Sequence, residues 1–212
     1  MLVTLINIGN ILLFINLVLF VKCFSRQGKA FLIFTFYLVL MFFIQLSSNM
    51  MTKFGINNLY LSHFYFIGQF LVLSLFYGTI FKTQKLKRYV LIMGLIGLAV
   101  VACQYILDPS QFFKFNLFEI SITSLLVLIL AVIHLYNMLT EKKEFYYINW
   151  GIIIYLFGST ILFIAGNLIV TLNSEYTKLP WILNAFLYII YQLFILMEWN
   201  KSFSKKENQL GR

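Results

Sequence analysis

Seven apolar runs, each about the length that crosses a hydrocarbon layer, are separated by short charged gaps, and they leave little chain for any other fold. A helix needs roughly 20 apolar residues to span a layer about 30 Å thick. The runs lie near Leu2 to Val21, Ala30 to Asn49, Leu59 to Phe81, Tyr89 to Leu107, Leu117 to Leu139, Phe145 to Val170 and Trp181 to Asn200. Hydrocarbon offers backbone amides no partner, so each run must close its own hydrogen bonds as a helix. The period-2 alternation of a membrane barrel is missing. The gaps centre on Arg26, Lys53, Lys85, Pro109, Lys142 and Glu175, and none is long enough for a folded domain. The expected class is therefore all-α: a polytopic membrane helix bundle of seven transmembrane helices over residues 1–200, with a short basic tail at 201–212. Composition agrees, since only 11% of the 212 residues are charged, against about 25% in a soluble domain.

Orientation follows from the cations, because cytoplasmic loops retain positive charge. Lys22, Arg26 and Lys29 follow the first run; Lys82, Lys85, Lys87 and Arg88 the third; Lys142 and Lys143 the fifth; Lys201, Lys205, Lys206 and Arg212 the seventh. Thirteen of sixteen thus fall on one side, against Lys53, Lys114 and Lys178 on the other. Seven spans with the N-terminus outside and the C-terminus cytoplasmic put all four clusters on the cytoplasmic side of a plasma membrane. The formal charge of +9 then points to anionic lipid headgroups rather than nucleic acid. The first run has no basic residue before it and reads as a retained anchor, not a cleaved signal. Trp150, Trp181 and Trp199 fall near run ends, as indole rings at an interface do. Pro109 and Pro180 are expected in external loops, and Gly94, Gly97, Gly151, Gly158 and Gly166 at close helix approaches. Cys23 and Cys103 belong to opposite surfaces, too far apart for a disulfide.

Polar side chains at membrane depth need partners, so they are the lead to function. On a helical wheel Glu119, Thr123, His134 and Asn137 share a sector of about 60°. Asn184, Tyr188, Tyr191, Gln192 and Glu198 share one of roughly 120°, and Asn149, Thr160 and Asn167 fall on a line. Depth separates an outer group, which could line a cavity open to the exterior, with Asn10, Gln45, His63, Gln69, Glu119, Thr123, Asn167 and Asn184 as its candidate ligand residues and Asn7, Asn49 and Gln104 beside them, from an inner one of His134, Asn137, Asn149 and Glu198 with Asn16 and Tyr77. Glu119 and His134 stand about 22 Å apart along one helix and serve separate places. His63 could pair with Glu119 in the outer pocket, or cap the start of the third helix. Interhelical amide pairs that only lock the bundle are the plain alternative for each Asn and Gln.

Several functions are excluded or disfavoured. No lysine between Pro180 and Asn200 can hold retinal, and the Pro-Gln motif of seven-helix sugar and peptide-retrieval carriers is absent. One deep glutamate, two histidines and no metal-ligand spacing argue against an enzyme, a metal or a cofactor. The stretch Asn57 to Phe64 (Asn-Asn-Leu-Tyr-Leu-Ser-His-Phe) and Gly158 to Thr160 (Gly-Ser-Thr) resemble small uncharacterised bacterial seven-helix membrane proteins, a resemblance that implies no activity. The expected function is a receptor-like or sensory module whose outer pocket takes a small molecule or a partner helix. Its partners are the lipid bilayer and a separate cytoplasmic or membrane signalling protein. A small-solute or ion permease, and a structural subunit of a membrane complex, are the alternatives.

Overall fold

The computed structural model describes residues 1–24, 28–171 and 176–203. Seven α-helices account for nearly all of them: α1 (Leu2–Lys22), α2 (Lys29–Lys53), α3 (Leu61–Ile80), α4 (Gln84–Leu107), α5 (Leu117–Asn137), α6 (Tyr146–Thr171) and α7 (Leu179–Glu198). A 3-10 helix, Pro109–Phe113, joins α4 to α5, and a π-helical turn, Trp199–Phe203, prolongs α7. No strand occurs among the described residues. All seven helices are long and apolar enough to cross a membrane. Arg26, Glu175, Lys205, Lys206 and Arg212, used above to place gaps and charge, lie outside the described residues.

Several boundaries differ from those expected, for one reason: hydropathy marks the apolar length, whereas the helical hydrogen bonds run on into polar sequence. Lys53 is the last residue of α2 and not the middle of a gap, and α4 begins five residues before Tyr89, taking in Lys85, Lys87 and Arg88. Pro180 sits in the first turn of α7 rather than in a loop. There its missing N–H is one that the helix leaves unpaired anyway.

The chain packs as two compact units, Met1–Cys23 with Ala131–Arg212 and Phe24–Leu130, and the division falls within α5. In the first unit α7 lies between α1 and α6. Its buried residues beyond the first turn, Ala185, Tyr188, Tyr191, Gln192, Ile195 and Glu198, fall on one side of the helical wheel, as a single contact face requires. Glycines let the neighbours approach it. A Cβ added at Gly151 would lie 2.9 Å from Phe194 Cβ, one at Gly158 2.6 Å from Leu187 Cδ1, and one at Gly9 2.7 Å from Tyr188 Cδ1. Asn16 of α1 donates its amide to the Gln192 carbonyl and side-chain oxygens, both at 2.9 Å.

In the second unit α3 is the central helix, packed between α2 and α4, and it buries residues around most of its circumference. Gly97 of α4 approaches Leu126 and Phe70, whereas a Cβ at Gly94 would meet nothing within 4 Å, so Gly94 is not a packing glycine. Cys23 is buried and Cys103 exposed, and the two form no disulfide.

Candidate functional site

Three helix ends converge in the second unit: the start of α3, the end of α4 and the start of α5. They carry His63, Tyr105 and Glu119 respectively. His63 Nδ1 lies 3.0 Å from Glu119 Oε2 and 2.8 Å from the Tyr105 hydroxyl. That hydroxyl also hydrogen-bonds Glu119 Oε2. On the far side of the imidazole, Nε2 lies 2.9 Å from the Phe112 carbonyl oxygen, and the Phe112 ring stacks on His63 with centroids 5.3 Å apart. The His63 and Glu119 side chains are 4% and 0% exposed, so water does not screen the pair. Glu119 Oε1 is buried with no hydrogen-bond partner among the described residues.

The local sequence explains how Glu119 reaches this position. Asn116 caps α5, its Oδ1 accepting from the Glu119 N–H at 3.2 Å, and Glu119 stands three residues on. This is the spacing of a capping box, in which the glutamate folds back on the cap residue's own N–H. Here its carboxyl turns outward to His63 and Tyr105 instead. Asn116 is itself held by a reciprocal amide pair with Gln104, at 2.8 and 3.1 Å, and its Nδ2 reaches the Tyr105 hydroxyl at 3.4 Å. Asp108 braces the connecting 3-10 turn, accepting from Ser110 N (3.1 Å), Ser110 Oγ (2.6 Å) and Gln111 Nε2 (2.7 Å). Those bonds, that from Ser110 first, hold its carboxyl below the ordinary value of 3.8.

A groove of about 680 Å³ runs beside the cluster between α2 and α3. Leu40, Ile67 and Leu71 line its length, and His63, Tyr105 and Phe112 close one end. It follows α3 from Leu61 to Leu71, about 15 Å at the helical rise. Its surface is apolar apart from that end.

Of the eight residues expected in an outer pocket, the structure joins His63 and Glu119 directly. Thr123 lies one turn beyond Glu119, but its hydroxyl bonds the Glu119 backbone carbonyl at 2.8 Å, a local contact within α5. Gln69 is buried deeper on α3 and donates to the Tyr37 hydroxyl at 2.9 Å. Gln45 is half-buried on α2 and does not line the groove. Asn10, Asn167 and Asn184 belong to the other unit, where Asn10 is half-buried, Asn167 exposed, and Asn184 keeps a buried Oδ1 that has no hydrogen-bond partner among the described residues.

The inner residues His134, Asn137, Asn149 and Glu198 all lie in the first unit and make separate ties to backbone. His134 Nε2 reaches the Glu144 carbonyl at 2.9 Å, and Asn149 Nδ2 the Ala131 carbonyl at 3.1 Å. The Asn137 carbonyl accepts the turn that ends α5. Glu198 Oε2 accepts the Tyr147 and Ile148 N–H groups at 2.8 and 3.4 Å, and Ser202 donates to Oε1. Glu198 therefore caps α6 from α7. Phe145, which precedes α6 at φ 53°, has no side-chain oxygen to do so.

Tyr105, Phe112, Asn116 and Tyr37 complete these arrangements, and none was singled out from the sequence. The Asn116-Leu-Phe-Glu119 capping spacing was the available signal for Asn116 and for where α5 starts. Comparison of the chain with protein-family models, with curated proteins and with solved structures finds no match in any of the three.

Proposed function

We propose that the chain is a receptor-like plasma-membrane protein of seven spans, N-terminus outside, which recognises a small amphiphile at the His63 end of the α2–α3 groove. The observation that carries this reading is the adjacency of a polar trio, with His63 and Glu119 buried and Tyr105 half-buried, to an open apolar groove. An apolar cleft with a few convergent polar groups is the usual form of a small-molecule site. The charge distribution supports the topology, and the three helix ends that meet at the trio are the ones it assigns to the outer side. Seven apolar helices support a bilayer as the surrounding medium. A signal would pass to a separate membrane or cytoplasmic protein.

The test is the thermal stability of the full chain in lipid nanodiscs, titrated with a panel of single-chain alcohols, amines and carboxylates. The expected result is a saturable stabilisation by one head-group class that Tyr105→Phe weakens. No shift for any member, or shifts equal in the variant, would overturn the reading. Flux of the stabilising compound across proteoliposomes would identify a permease in place of a receptor.

A further inference from the structure

The hydrogen atoms of the cluster can be counted. His63 Nε2 faces a backbone carbonyl, which only accepts, so Nε2 carries a hydrogen. Tyr105 has a single hydroxyl hydrogen, which serves its bond to Glu119 Oε2 or its contact with His63 Nδ1. The remaining side of the triangle, from His63 Nδ1 to Glu119 Oε2 at 3.0 Å, would then set an imidazole lone pair against a carboxyl oxygen. Two acceptors do not rest at that distance with solvent excluded, so a second hydrogen lies between them.

We propose that the His63–Tyr105–Glu119 cluster is a proton-binding site, and that the conformation described here is its proton-loaded state. The bound proton makes the pair neutral overall, whether as imidazolium and carboxylate or as imidazole and carboxylic acid. Its loss leaves one net negative charge in a buried site where two acceptors oppose each other, and such a group must be separated or hydrated. His63 is the member able to leave, because its ring also lines the groove. The Phe112 ring stacked on it would be released at the same time, opening the polar end. The closed arrangement is therefore the protonated one, and rising pH opens it.

Among the described residues no other ionisable side chain hydrogen-bonds the His63 or Glu119 side chain, and Cys103 of α4 is exposed. Tyr60, beside Phe112, bonds Met51 Sδ at 3.4 Å. Asp108 and Lys114, on the connecting turn, are both engaged with Ser110. On α2 the segment facing the groove, residues 40–47, has no ionisable side chain, and Lys53 lies at the exposed end of the helix.

The chain has only two histidines, which makes nitrogen-15 histidine NMR of the full protein in bilayers direct, with His134→Gln assigning the signals. Between about pH 5 and about pH 9 the cluster is expected to lose one proton in a single step, read at the His63 Nδ1 nitrogen-15 and the Glu119 carboxyl carbon-13 resonances, while Nε2 keeps its hydrogen. In Glu119→Gln an amide hydrogen, which does not titrate, replaces the proton, so the step should vanish with the contact preserved. A wild type in which neither the His63 Nδ1 resonance nor the Glu119 carboxyl carbon-13 resonance moves across the range overturns the proposal, and so does an identical Nδ1 step in Glu119→Gln. The wild-type titration decides the question even where a variant fails to fold, and it does not depend on whether any amphiphile binds.

Discussion

His63 and Glu119 belong together because each solves the other's burial. A carboxyl with no water and an imidazole with a spare nitrogen are both costly alone. Tyr105 completes them, and Tyr105→Phe should lower unfolding stability in bilayers by about 0.6 to about 1.7 kcal/mol, the range of interhelical hydrogen bonds in membranes. Reversible unfolding of wild type and variant in the same lipid measures it; an unchanged stability would mean that the hydroxyl contributes nothing. Glu198→Ala should cost about 1 to about 2 kcal/mol, as the loss of a helix cap does, with faster amide exchange confined to the start of α6. The sequence allowed the pairing of His63 with Glu119 as one of two roles for the histidine. It could not disclose Tyr105, because a tyrosine near a membrane surface is ordinary and its partners lie 14 and 42 residues away. Thr123, expected beside them, donates its hydroxyl hydrogen within its own helix.

Elements were legible where composition decides them and obscure where hydrogen bonding does. Each apolar run became one helix, the form a run of that length takes where hydrocarbon surrounds it. The ends moved because charged residues such as Lys87 and Arg88 continue a helix readily. The 3-10 turn was invisible to hydropathy, yet it holds Phe112 over His63. Asp108 links this turn to pH. Because its folded carboxyl is held below the ordinary range, its contribution is present above the unfolded value and is lost as pH falls through the depressed folded value. Protection against amide exchange at Gln111 to Lys114, taken relative to the intrinsic rate at each pH, should therefore fall on strong acidification, and Asp108→Asn should remove that dependence. The packing glycines make a second comparison. Gly158→Leu, aimed at Leu187, should cost about 1 to about 3 kcal/mol by overpacking, whereas Gly94→Ala should be neutral or favourable by up to about 1 kcal/mol. Equal effects at the two positions would contradict the contrast between their surroundings.

For the whole chain, the expectation to check is topology. In a background with Cys23 and Cys103 replaced by alanine, Gly55→Cys should react on intact cells with a membrane-impermeant maleimide. Lys85→Cys should react only after the cells are opened. Labelling in the reverse pattern would invert the orientation argued from the cations. Helix number was readable because it follows from the length and apolar composition of each run, while the division into two units was not, since it depends on which helix faces meet. The cap on α6 has a further consequence for how the chain is made. The carboxylate that completes the first turn of α6 belongs to a residue 51 positions after Tyr147. A nascent chain thus leaves the ribosome with that turn unfinished, and only the arrival of the last helix closes it.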